Sequence, residues 1–161
     1  MKRLLAMVMA VAMTLSLAAC GGNSNTAASG STGSASSAAG SAANTDFKVG
    51  AIYINSKNDT AGYTYAHHNG ITTAMKELGL DPDTQLVIVD EVSDDDYDKI
   101  ANAVDTLVAA DCNIVFGISF GYMQALADKA EEYHDVIFSH ATGYMSNDPN
   151  FNNYFGRIYQ A

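Results

Sequence analysis

A repeated alternation of apolar runs and helical patterns constrains the fold of this chain more than any other feature. In the first unit, residues 47–80, the apolar run from Val49 to Ile54 is rich in β-branched and aromatic residues, as is typical of a buried strand. After a polar loop, apolar residues recur at helical spacing from Ile71, and Gly79 ends the pattern. Strand, loop and helix in this order form the first half of a βαβ unit.

Further apolar runs separated by helical patterns continue the alternation. Strands are predicted over residues 86–89, 113–118, 136–138 and 153–158. Crossovers between parallel strands are right-handed, which predicts an α/β fold with three α/β/α layers around a mainly parallel five-stranded sheet. With the flavodoxin-like strand order 2-1-3-4-5, the switch point lies between strands one and three.

Polar and aromatic residues cluster after strands one, three and four, where open α/β sheets bind ligands. The loop after strand one is expected to hold Asn58, Asp59, Tyr63 and Tyr65. The candidate ligand-binding residues are Asn58, Asp59, Tyr63, Ser119, Phe120, Tyr122 and His140.

Four of these candidates have a structural alternative. Tyr63 either offers an aromatic face for a flat ligand or packs in the core, and its place after Gly62 in a loop favours the ligand. Asp59 is either a hydrogen-bond acceptor for ligand or an acidic residue favoured by a helix N-terminus. Ser119 is expected to cap the third long helix. His140 contacts either a ligand or loop backbone.

A run of acidic residues precedes the second long helix. The glycine that a calcium-binding EF-hand loop needs is absent, since Lys99 stands in its place. We therefore expect Ser93 or Asp94 to cap this helix and the acids to lie in its first turn. The sequence shows no metal-ligand spacing, and Cys112, before an apolar run, is interpreted as a small buried side chain.

The amino-terminal residues predict export and anchoring. Residues 1–20 combine a positive start, a short apolar run and a lipobox ending at Cys20, which predicts a lipoprotein signal peptide with Cys20 as the lipidation site. An ordinary secretory signal is the alternative. Residues 21–45 are almost wholly small and polar, which predicts a flexible tether, and residues 46–161 form the folded domain.

The net charge of −10 argues against nucleic acid or anionic lipid as a direct partner of the folded part. The chain has no phosphate-binding Gly-rich loop after strand one and no set of nucleophile, base and acid. Together with the predicted export, these absences argue against an enzyme, and we expect no catalytic residues and no cofactor. A flavodoxin-like enzyme is the least favoured alternative.

Four segments in register resemble the basic membrane protein family, the PnrA-like substrate-binding lipoproteins of ABC transporters in the type 1 periplasmic-binding superfamily. They are YINSKNDTAGYTYAHHNGI, FGISFGYMQALADKAEEY, VIFSHATGY and NYFGRIYQA. The resemblance implies a lipid-anchored protein at the extracytoplasmic face of the cell membrane that captures a purine nucleoside or nucleobase between two lobes. It would deliver this ligand to the permease of an ABC transporter, and the permease and ATPase subunits are the implied partners.

For the site, the resemblance implies that Tyr63 stacks on the purine and that Ser119, Phe120 and Tyr122 line the cleft. An acidic residue of the family stands where this chain has Thr60, beside Asp59. The resemblance covers one lobe, so the second lobe is expected to be missing and purine binding by this form to be weak. The same scaffold binding another small ligand, a sugar or an autoinducer, is the main alternative.

Overall fold

The computed structural model describes residues 46–147 and 149–156. Within them, the elements in chain order are β1 (Val49–Tyr53), α1 (Gly62–Glu77), α2 (Pro82–Gln85), β2 (Leu86–Val89), α3 (Tyr97–Ala109), β3 (Ile114–Ile118), a 3-10 turn (Phe120–Tyr122), α4 (Met123–Glu132), β4 (Ile137–Ala141) and β5 (Phe151–Tyr154). The predicted signal peptide, Cys20 and the tether lie outside the described residues.

The five strands form one sheet with the order β2-β1-β3-β4-β5, and every pair is parallel. Val49 of β1 lies opposite Leu86 of β2 and Ile114 of β3. The predicted α/β fold and its strand order are therefore confirmed.

Helices pack on both faces of the sheet, as its apolar strands require. On one face, Ile71 and Met75 of α1 pack on Val49, Ala51 and Tyr53 of β1. On the other face, α3 and α4 bury a larger cluster, and the residues of this cluster with side chains fully removed from solvent include Ile52, Val104, Leu107, Val115, Tyr122, Leu126 and Phe138.

The α1 face is less completely covered towards β4 and β5. An open hollow of about 360 Å³ lies beside α1, and Ile137 at the start of β4 is 47% exposed. The residues lining this hollow are His67, Gly70, Ile71, Ala74, Phe116, Ser139 and Tyr154. We call it the α1 groove.

Three local predictions about boundaries are wrong. The fourth strand continues to Ala141, three residues beyond its predicted end, so His140 lies within the strand and not after it. The fifth strand begins at Phe151, two residues before the predicted start, because the buried Phe151 side chain belongs to the core. Helix α3 is capped by Asp96, whose carboxylate accepts a hydrogen bond from the Lys99 N–H at 3.1 Å, and not by Ser93 or Asp94.

Asn150 joins the end of α4 to the start of β5. Its buried side-chain amide lies 2.9 Å from the carbonyl of Ala130, 3.0 Å from that of Tyr133 and 2.9 Å from that of Val136. Carbonyls at a helix C-terminus have no partner within the helix, so this one amide supplies donors that the backbone lacks. Among the described helices, none is both long and apolar enough to cross a membrane.

We predict that Asn150→Ala lowers the free energy of unfolding by about 2 kcal/mol or more, because buried carbonyls lose their donors. Urea denaturation at equilibrium measures the change. Asn102→Ala, at an exposed position on α3, is the matched control and should change stability by less than about 0.5 kcal/mol. Equal effects of the two substitutions would contradict this role for Asn150.

Candidate functional site

The carboxyl ends of β1, β3 and β4 meet at one edge of the sheet, and the chain reverses its direction of travel across the sheet between β1 and β3. The segments 54–61 and 119–122 follow β1 and β3, and the segment 142–147 follows β4. We call the space between these segments the edge crevice. All candidate ligand-binding residues lie in or beside these segments.

Tyr63 lies in the first turn of α1, and not in the preceding loop as predicted. Gly62, with φ +88°, provides the left-handed backbone that starts the helix there, and Tyr65 is likewise helical. The Tyr63 side chain is 42% exposed, and its ring centroid lies 4.4 Å from that of His67. Burial raises the pKa of Tyr63, against the opposing effect of a hydrogen bond with the Thr142 side chain.

Asn58 and Asp59 lie in the segment after β1. Asn58 is exposed, and its N–H donates to the Ser56 hydroxyl at 3.3 Å. Asp59 is half-buried and lines an open polar hollow of about 460 Å³ between the segments after β1 and β2. The other lining residues are Ile54, Asn55, Ser56, Glu91 and Ser93. The carboxylate is therefore placed to accept hydrogen bonds beside the edge crevice.

Ser119 does not cap a helix through its side chain, contrary to the prediction. Its hydroxyl donates to the Asp94 carboxylate at 2.6 Å, and the residue is 6% exposed. This bond ties the segment after β3 to the segment after β2. Asp94 therefore acts across the sheet edge and not at the start of α3.

The two aromatic residues of the 3-10 turn have different environments. Phe120 is 56% exposed at the edge crevice. Tyr122 is fully buried, and its hydroxyl donates to the Val92 carbonyl at 2.6 Å. Burial raises the pKa of Tyr122. Tyr122 therefore packs in the core beneath the site and exposes no ring surface to the crevice.

His140 is also fully buried, at the end of β4. Its Nε2 lies 2.6 Å from the Ser119 carbonyl oxygen. A carbonyl oxygen needs a donor, so Nε2 carries the hydrogen. Burial lowers the pKa of His140, which favours this neutral form. The sequence left open whether His140 contacts a ligand or loop backbone, and in the structure its side chain contacts loop backbone.

The structure adds Tyr144, which the sequence reasoning left without a role. Its side chain is 75% exposed, and its ring centroid lies 6.4 Å from that of Phe120, with the planes tilted by 48°. An aromatic residue one step after Gly143 in a segment that follows a strand was the available signal. The edge crevice is thus bordered by the exposed rings of Tyr63, Phe120 and Tyr144.

The chemistry available at this edge is that of recognition. Aromatic faces can hold a flat ring, while the carboxylate of Asp59 and loop backbone can accept or donate hydrogen bonds. Within residues 46–147 and 149–156, no group of three or more His, Cys, Asp or Glu side chains is arranged to hold a metal ion. Cys112 is buried and free, and burial raises the pKa of its thiol to about 11.

Two known proteins with sequences similar to this chain are named for binding a small solute. A purine-binding protein of Brucella abortus is 34% identical over 119 residues, which cover 70% of this chain and 31% of that protein. An ABC transporter glucose-binding protein of Haloferax volcanii is 28% identical over 109 residues, 68% of this chain and 26% of that protein. No profile of a known protein family matches the chain.

A solved structure shares the fold. The ABC transporter solute-binding protein of Aeropyrum pernix K1 superposes with a TM-score of 0.55 at 15% identity, covering 68% of this chain and 28% of that chain. The chain therefore spans about a third or less of the length of the relatives it matches. Over that part, its sequence and fold relate it to the substrate-binding proteins of ABC transporters, as the sequence resemblance implied.

Proposed function

We propose that this chain forms one lobe of an extracytoplasmic solute-binding lipoprotein of an ABC importer, of the PnrA-like kind, which captures purine nucleosides or nucleobases. The observation that carries the proposal is the set of exposed rings of Tyr63, Phe120 and Tyr144 at the switch point of the sheet. Water-exposed aromatic rings at a ligand-binding edge suit a flat heteroaromatic ligand, because every base has a π-face.

The polar groups beside the rings suit the remainder of a nucleoside. The half-buried carboxylate of Asp59 borders the polar hollow, where it would accept hydrogen bonds from sugar hydroxyls or a ring N–H. Asn58 is exposed in the same segment and would contact the ligand from the rim. Ser119 and His140 hold the crevice walls in place, and Tyr122 supports them from the core.

A second lobe would close the edge crevice from the other side. Half a cleft provides half of the enclosing contacts, so purine binding by this chain alone would be weak. In the complete protein, closure by hinge motion would trap the ligand, and a permease with its ATPase would receive it. The relatives support the binding role, since each of the two is named for binding a small solute.

A sugar is the second candidate ligand, because one relative is named a glucose-binding protein. The relative named a purine-binding protein has the higher identity, and the rings at the edge crevice favour the purine. Saturation-transfer NMR on this chain with adenosine, hypoxanthine and glucose compares the candidates directly, since the method detects weak binding. Binding of glucose without binding of either purine would overturn the purine assignment.

We predict that Tyr63→Ala weakens adenosine binding roughly 5- to 150-fold, the equivalent of about 1–3 kcal/mol of stacking per base. Tyr63→Phe keeps the π-face and should retain most of the affinity. NMR titration measures the dissociation constants, and thermal unfolding without ligand is the control. Unchanged affinity in the alanine variant would remove Tyr63 from the site.

The proposed location of the protein at the cell membrane depends on lipidation of Cys20. Two acyl chains are needed for stable anchoring, so we propose a diacylated Cys20 at the start of the mature chain. We predict that Cys20→Ser moves the protein out of the membrane fraction of the cells that produce it. Cys112→Ala is the control, because this second cysteine is buried in the folded domain. Retention of the serine variant in the membrane fraction would refute the lipid anchor.

A further inference from the structure

The segment after β4 is held in a defined conformation. The Thr142 N–H donates to the Tyr154 carbonyl at 2.8 Å, and the Asn147 N–H donates to the Phe151 carbonyl at 2.9 Å. The Tyr144 N–H points to the sulfur of Met123 at 3.4 Å. These contacts with β5 and α4 fix the backbone on both sides of the Tyr144 ring.

Thr142 has φ +68°, in the left-handed region that β-branched residues rarely occupy. A residue is held in such a conformation only where surrounding contacts impose it, and such residues cluster at functional sites. After this turn, the backbone of Gly143 and Tyr144 lies against Met123 of α4, and the Tyr144 ring lies beside Phe120.

One buried side chain contacts both segments that carry the exposed rings. The His140 Nε2 holds the carbonyl of Ser119, the residue before Phe120. The Nδ1 of the same ring faces Gly143, the residue before Tyr144, so closely that a Cβ on Gly143 would lie 2.0 Å from it. His140 therefore sets the separation between Phe120 and Tyr144.

The two rings are close but do not cover each other. Their centroid separation of 6.4 Å lies within the range of interacting aromatic pairs, yet Phe120 remains 56% exposed and Tyr144 75% exposed. Tyr63 belongs to α1, which packs on the opposite face of the sheet from α4. The exposed rings at the edge crevice therefore come from elements on both faces of the sheet.

We propose that Phe120 and Tyr144 form a second aromatic wall, opposite Tyr63, that makes this lobe specific for flat heteroaromatic rings over sugars. Tyr144 is a specificity-determining residue of this wall, and His140 with Gly143 are positioning residues that set its geometry. The inference rests on the proposed purine-binding function and assigns to it a residue that the sequence left unassigned. Contact of a planar ring with both walls excludes water from both of its faces.

The first test removes the Tyr144 ring from the full 161-residue chain. Tyr144→Ala should weaken binding of adenosine and hypoxanthine roughly 5- to 150-fold, and Tyr144→Phe should retain most of it. Leu78→Ala is the matched control, because Leu78 is 73% exposed at the end of α1, at the opposite edge of the sheet. The control should leave purine binding unchanged.

The second test changes the position of the ring and not its chemistry. The chain has no tryptophan, so Tyr144→Trp introduces a unique fluorophore at the wall, which a stacked purine should quench. Gly143→Ala in that background forces a Cβ into His140 and should reduce the quenching. Gly70→Ala is the control, since a Cβ there meets nothing within 4 Å. Thermal unfolding checks that each variant is folded.

The outcomes separate the inference from the function on which it rests. If Tyr63→Ala weakens purine binding and Tyr144→Ala does not, the second wall is overturned and the proposed function stands. If the unsubstituted chain binds glucose and no purine, the proposed function and the second wall are both overturned. Quenching that Gly143→Ala leaves unchanged would overturn the positioning role of His140 and Gly143.

Discussion

The pairing of β1 with a parallel strand on each side is the constraint on which the rest of this structure depends. Every residue of β1 is buried, and the strand pairs with β2 and β3 along its length. Because the chain leaves β1 first towards β2 and later continues outward through β3, β4 and β5, the switch point falls between β1 and β3. Loops that diverge at a switch point leave a crevice, and here three exposed aromatic rings border it.

A small network of buried polar contacts converts this topology into a defined surface. The Ser119 hydroxyl reaches Asp94, its carbonyl reaches His140, and the Tyr122 hydroxyl reaches the Val92 carbonyl. These bonds join the segments after β2 and β3 to the end of β4, and the bonds of His140 and Tyr122 are buried. The exposed ring of Phe120 therefore follows a residue, Ser119, that is held by both its hydroxyl and its carbonyl. Holding this segment before the ligand arrives reduces the ordering that binding must impose.

The sequence predicted the sheet because apolar runs bounded by turns are a local signal, and the strand order followed from topology rules. It predicted less well where several neighbouring residues offer the same local chemistry. Asp94, Asp95 and Asp96 are equivalent as potential caps. Asp94 accepts a hydrogen bond from Ser119 and Asp95 accepts one from Ser93, which leaves the cap to Asp96. Phe120 and Tyr122 are both aromatic, yet the 3-10 turn exposes one and buries the other. Tyr144 went unassigned because its position beside Phe120 is a contact between residues distant in sequence, which the local signal after Gly143 does not reveal.

The central claim is that a flat purine binds in the edge crevice between Tyr63 and the pair formed by Phe120 and Tyr144. Titration of adenosine into the isotopically labelled chain, followed residue by residue by NMR, tests this most directly. We predict chemical-shift changes concentrated at residues 58–63, 119–121 and 142–144, where the ring current of the base would act. Changes concentrated instead at the α1 groove, around Ile71, Phe116 and Tyr154, would contradict it.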